Sequence, residues 1–261
     1  MVRALKSLFF GGGPVTAVVS PLDSMHTIRD RIFTDGPRHD RPLLSDFRLE
    51  GCTFDSWAGL TPEWSNPDPS LRPILRNIEL HDTNAFNGYL EGAIIEDVLV
   101  DCTKAGKGPI FLRGNAYRHV VLRGRIGHTE IRGKMFPSLY LSHDRQREII
   151  KQWDIANAEY YQNVDWALDI REATFGSFSI SGIPSRLVRR APETTAAVTR
   201  EEALQGKWRE LEWHRGVFEV SIGMLLDDGY DDVVLVACER SRRFKDDLKD
   251  LQLLRDAGVA T

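Results

Sequence analysis

Cysteine is scarce in this chain, and what there is lies scattered. Cys52, Cys102 and Cys238 are odd in number, far apart and never arranged as CxxC. That pattern argues against a disulfide framework and against a zinc site. The three read as small apolar core residues in a reducing compartment. Charge of one sign is lacking too. The 34 Lys and Arg stand against 38 Asp and Glu, giving a net charge of −4 and a pI near 6.0. No global field draws the protein to nucleic acid or an anionic membrane, so such contact would need a local patch. No apolar run approaches the length that spans a bilayer. The opening MVRALKSLFFGGGPVTAVV has two basic residues and then an apolar run, as a signal peptide does. Gly11-Gly12-Gly13-Pro14 breaks that run, and a structured N-terminus in a cytoplasmic protein is the preferred reading.

The usual chemical signatures are missing as well. Neither a P-loop nor a GxGxxG fingerprint surrounds Gly114, Gly124 or Gly133. The seven histidines show no HxH or HExxH spacing, and no serine sits in GxSxG. No cofactor and no metal is expected. What remains is an ordinary globular balance, 42% hydrophobic and 28% charged over 261 residues. That is enough for one large domain with a sizeable core.

The positive signal is a period. Ile78 to Cys102 reads in fives: IELHD, TNAFN, GYLEG, AIIED, VLVDC. The third residue of each is apolar: Leu80, Ala85, Leu90, Ile95 and Val100. The same phase fits Phe47–Ser56, Ile110–Thr129 and Leu168–Gly182. Five matches neither the 3.6 of a helix nor the 2 of a plain strand. It turns the chain after each short extended step.

This pattern resembles the pentapeptide-repeat family. The resemblance implies a mainly β fold, a right-handed parallel β-helix (a β-solenoid). It implies inward residues Leu49, Phe54, Leu80, Leu90, Ile95, Val100, Leu112, Tyr117, Leu122, Ile170, Phe175 and Ile180, with small partners such as Cys52, Ala93 and Ala173. The blocks are interrupted by Trp57–Asn77, Thr103–Pro109 and Glu130–Ala167, so loops are inserted between them. The domain reading is an N-terminal cap over 1–45, a solenoid over 46–190, and a helical C-terminal cap or appended unit over 195–261. Solenoid ends need such caps. Arg145–Tyr161 reads helical. Thr199-Arg200-Glu201-Glu202 opens a helix with a capping-box-like start. Its apolar face is Leu204, Trp208 and Leu211. Phe218, Ile222, Leu225 and Leu226 continue a stripe to Gly229, and Phe244, Leu248, Leu251 and Leu254 mark a last helix. Val233–Val236 fits a buried strand or a short helical turn.

LRGNAYRHVVLRGRIGHTEIRG, residues 112–133, carries most of the functional question. Its glycines read as corners. Its arginines follow an acidic block, Glu79 to Asp101, that has no Lys or Arg. Coils of opposite charge can ladder into surface pairs, worth only ~0–1 kcal/mol each. The ladder is preferred over a binding stripe of Arg113, Arg118, Arg123, Arg125 and Arg132. For an enzyme, the candidate carboxylates are Asp97 with Asp101, or Asp165 and Asp169 with Arg171; His143-Asp144 reads as a turn. The functional expectation is a non-catalytic β-solenoid that binds another protein, of an immunity or inhibitor type. Nucleic acid is the lesser partner, and no membrane is expected. The alternative is a carbohydrate-active β-helix enzyme, a lyase or glycosidase.

Overall fold

A computed structural model of the chain describes residues 25–33, 43–55, 68–86, 88–104, 108–136 and 141–261. The glycine-rich N-terminal stretch, the first 24 residues of the expected cap, and most of the proline-rich insert lie outside them. The strands are β1 His26–Arg29, β2 Ile32–Phe33, β3 Leu43–Glu50, β4 Thr53–Asp55, β5 Ile74–His81, β6 Asn84–Phe86, β7 Gly88–Glu91, β8 Ile94–Cys102, β9 Pro109–Arg113 and β10 Ala116–Arg132. Helix α1, His143–Tyr161, separates β10 from β11, Leu168–Ser181. Then come β12 Val188–Arg189, β13 Thr195–Thr199, α2 Arg200–Leu204, α3 Val217–Asp228, β14 Asp232–Val236 and α4 Phe244–Asp256.

The fold is mainly β. One eleven-stranded sheet carries both parallel and antiparallel pairs, and β2, β4 and β6 form a second, parallel sheet. In the large sheet β1, β3, β5, β8, β10 and β11 follow one another in sequence order, all parallel. One row of partners reads His26, Phe47, Ile78, Val98, Val120, Leu168, Val188. Consecutive members are 21, 31, 20, 22, 48 and 20 residues apart. The chain thus returns after about twenty residues, and the two long steps contain the proline-rich insert and helix α1.

The residues just before four members of this row, Phe47, Ile78, Val98 and Val120, are Asp46, Asn77, Asp97 and His119, all left-handed, with φ from +53° to +64°. Asn, Asp and His tolerate that conformation better than other residues with a Cβ. Their side chains also bond along the stack. Asn77 Nδ2 donates to Asp46 Oδ1 at 2.7 Å, and His119 Nδ1 lies 3.0 Å from Asp97 Oδ1. The bond from Asn77, then that from Ser45, holds the Asp46 carboxyl below its ordinary range. The glycines do two different jobs. Gly124 has φ +75°, and a Cβ there would meet the Cys102 carbonyl oxygen at 2.3 Å. Gly133 has no such φ; it is small because Gly182 Cα lies 2.7 Å from where its Cβ would be.

All twelve residues expected to point inward are buried in the main apolar cluster or packed against it. Cys52, Ala93 and Ala173 belong to the same cluster. The three thiols are free and buried, and burial pushes those of Cys102 and Cys238 up to about 11. They are packing groups at neutral pH.

The C-terminal stretch departs from the helical expectation. It is mixed, because β14 adds antiparallel to β11 and β13 adds to β14. Val233–Val236 is therefore strand. Helix α2 has its capping box at Thr199 and Glu202 but stops at Leu204, because Gly206 turns left-handed at φ +77°. Leu204 is left exposed and Trp208 packs from a 3-10 turn instead. Helix α3 buries Phe218, Ile222 and Leu225 and ends at left-handed Gly229. A second apolar cluster joins α3, α4 and the β13–β14 pair. Thr261 exchanges two backbone hydrogen bonds with Ala197, which covers part of the β13 edge.

Candidate functional site

The five arginines do not share one surface. Arg118 reaches Glu96 at 3.3 Å, a buried carboxylate that also takes Arg76 at 2.5 Å and the Tyr160 hydroxyl at 2.9 Å. Arg123 donates to Asp101 at 2.5 Å. Arg118–Glu96 and Arg123–Asp101 are pairs between the acidic and basic blocks, and Arg29–Glu50 and Arg48–Glu79 are further pairs between neighbouring strands that the sequence reading did not include. Arg125 is exposed and has no ion pair among the described residues. Because Arg123 is solvated, we expect Arg123→Ala to leave the urea unfolding midpoint unchanged within error. A clear drop in the midpoint would show that the ladder bears structural load.

Arg113 and Arg132 sit elsewhere. They are partners in register at the ends of β9 and β10, with Glu91 on the other side of Arg113. The Arg113 guanidinium lies over three rings: Phe136 at 5.0 Å, Phe111 at 5.3 Å and Tyr89 at 6.0 Å. Tyr89 and Phe111 stack at 5.0 Å as neighbours across β7 and β9. Phe136 is 53% exposed and Tyr89 39% exposed. Arg113 is only loosely paired, 3.8 Å from Glu130, while Arg132 holds Glu130 at 2.8 Å. Its Nε is buried with no hydrogen-bond partner among the described residues. Beyond Arg132 a cleft of about 440 Å³ continues between β11 and α3, lined by His128, Ser177, Arg215 and Phe218. Phe111 and Tyr89 are not among the sequence candidates, because the period marks Leu112 and Leu90 beside them as the inward residues. The signal available was their identical position before those inward leucines.

No family model, curated protein or solved structure matches this chain. The resemblance to the pentapeptide-repeat family is therefore withdrawn. The mixed sheet, with antiparallel β13 and β14, also departs from an all-parallel repeat tube.

The carboxylates proposed for an enzyme do not converge as expected. Asp97 belongs to His119 and Asp101 to Arg123. His119 also lies 2.7 Å from Asp165, so both ring nitrogens are taken by carboxylates, and its ring packs on Trp166 at 4.7 Å. That bond from His119 holds Asp165 below the usual carboxylate range. Asp169 and Arg171 bond each other at 2.6 Å. His143 begins helix α1 behind its Ser142 cap, and Asp144 pairs with Arg147. A different group of acids does meet. Asp154, Asp228, Asp231 and Asp232 line a cleft of about 350 Å³ beside Gly133, Gly182 and Tyr230. Asp232 is spent on the amide and hydroxyl of Ser185, and Asp228 pairs with Lys134 at 3.2 Å. Burial pushes the Asp154 carboxyl upward, with Lys134 opposing and Asp228 adding to the rise. Among the described residues no three His, Cys, Asp or Glu side chains gather to hold a metal, and no helix is long and apolar enough to cross a membrane.

Proposed function

We propose that this is a non-catalytic binding protein of the cytoplasm that engages another protein through the Tyr89–Phe111–Arg113–Arg132–Phe136 face. The parallel rows are read as a right-handed β-helix that serves as a rigid scaffold for the face, with the C-terminal unit closing one end. A return after about twenty residues, lengthened where the proline-rich insert and helix α1 intervene, and a continuous inward apolar cluster support that reading. The observation that carries the function is Arg113 held over three rings, two of them more than a third exposed. Exposed aromatics beside an incompletely paired arginine are the composition of protein-binding hot spots. Arg132 lies beside Arg113, and in the adjoining cleft Arg215 is paired with Asp247 at 3.1 Å, so the partner presents an apolar surface with an acidic group for Arg113, as the target of an immunity or inhibitor protein could. Single-stranded nucleic acid would use the same stacking groups, but Glu91 and Glu130 flank the arginines and the net charge is negative.

A photo-crosslinking amino acid at Phe136, introduced in cells of the source organism, tests this reading. A discrete protein adduct is expected there. The same group at Leu99, on the ladder side, should give none. Equal adducts at both positions, or none at Phe136, would overturn it.

A second reading is carried by the acid cleft. A carboxyl raised by burial beside a lysine-paired carboxylate is the arrangement a glycosidase uses to separate its acid from its base. Release of reducing ends from a polysaccharide panel, lost in Asp154→Asn, would favour it over the binding protein.

A further inference from the structure

We infer that the interior of the strand stack is a binding site for a short aliphatic molecule carrying one hydroxyl or carbonyl oxygen. The interior holds a cavity of about 220 Å³ that extends from Ile28 and Phe33 in the first strands to Leu168 in β11. Its wall is almost wholly Leu, Ile, Val and Phe side chains from successive rows. Packed protein interiors leave few voids larger than a water molecule. An apolar cavity of about 150 Å³ stays dry and accepts benzene. This one has room for a longer chain.

One group in the wall gives the occupant its chemistry. Thr129 is 8% exposed, lines the cavity, and its Oγ1 has no hydrogen-bond partner among the described residues. The other threonine of the wall, Thr83, is already used, with the carbonyls of Leu49 and His81 at 3.4 Å. A buried hydroxyl left unpaired costs about 1–3 kcal/mol. Water does not answer the need, because a buried water wants two to four polar partners, and the other hydroxyls of the wall, those of Thr83 and Tyr117, already have partners of their own. An alkyl chain with a single oxygen meets both demands. The chain supplies dispersion contacts along the apolar wall, and the oxygen pairs with Thr129. The site lies inside the stack, separate from the exposed Arg113 face, and does not depend on it.

The test uses 1-octanol and n-octane as probes, followed by ligand-observed NMR and by the thermal unfolding midpoint. Both probes should bind saturably. Thr129→Val should weaken 1-octanol roughly three- to tenfold, the worth of one hydrogen bond, and leave n-octane unchanged. Thr129→Ser should restore 1-octanol binding. Ala85→Leu, which adds bulk to the cavity wall, should remove saturable binding of both. Absence of saturable binding, or binding that Ala85→Leu leaves intact, would overturn the site. Equal loss of both probes in Thr129→Val would overturn the role of the hydroxyl.

Discussion

Replacing Arg72 with Ala should cost about 3–5 kcal/mol of unfolding free energy, read from the urea midpoint at constant slope. Arg72 is 3% exposed and no carboxylate pairs with it among the described residues. Its guanidinium instead donates to the carbonyls of Gly92 at 3.1 Å and Gly114 at 2.8 Å, and to Asn157 Oδ1 at 2.7 Å. It lies 4.6 Å over the Trp153 ring. The two glycines belong to one column of turns, since the amides of Gly92, Gly114 and Gly133 bond the carbonyls of Arg113, Arg132 and Ser181 in succession. Asn157 carries the contact on to the Gly133 carbonyl at 3.3 Å. Arg72 and Asn157 thus pin helix α1 to the column. Burial pushes the guanidinium down to about 10, and it stays charged at neutral pH. Alanine would leave the Gly92 carbonyl and the Asn157 amide oxygen without the guanidinium, and the Gly114 carbonyl with only the 3.5 Å bond from Asn157, beside a void. Arg72→Lys should recover only part of the loss, because an ammonium cannot span the three acceptors in one plane. A loss below about 1 kcal/mol would mean that water or a neighbouring side chain replaces the guanidinium.

Glu91→Gln should do the opposite, and only above acid pH. Glu91 is 5% exposed at the end of β7, and burial pushes its carboxyl up to about 7, with Arg113 pulling the other way. The unfolded chain releases that proton near its ordinary value of 4.5. Between about 4.5 and 7 the folded state holds a proton that the unfolded state has lost, so folding stability falls as pH rises through this window. Below it the burial carries no ionisation penalty, and above it the penalty is constant. Glutamine does not titrate. Relative to wild type, the variant should therefore gain about 2–3 kcal/mol between pH 4 and pH 8. A wild-type-minus-variant difference that is flat with pH would contradict this. The result also bears on the proposed binding face, because ionised Glu91 would offset the charge of Arg113 beside it.

Much of the interior was legible in the sequence. A leucine, isoleucine or valine every fifth or tenth residue marks the inward side, and those residues are in the core. The ion pairs of Arg118 and Arg123 were legible too, as an acidic block followed by a basic one. The period could not say which family the chain belonged to, because any chain that turns every few residues produces it. Nor could it show that Val234 and Val233 pair antiparallel with Ile180 and Ser181, residues 54 and 52 positions away. Arg72 was hidden for a related reason. Nothing local distinguishes it from the other arginines, and its acceptors come from turns 20 and 42 residues away. The proposed binding face was half visible. Arg113 and Arg132 stood among the candidates, but the register that puts them side by side, under Phe136 and away from Arg123, is a property of the stack.

The central claim is that the Arg113 face, and not the ladder, holds a partner protein. With the protein crosslinked at Phe136 in hand, calorimetric titration measures it directly. Arg113→Glu combined with Phe136→Ala should weaken binding at least a hundredfold in a variant that still unfolds cooperatively, the scale of two hot-spot residues. Arg118→Ala combined with Arg123→Ala should leave affinity within about twofold. Equal weakening by both pairs, or unchanged affinity in the first, would contradict the account.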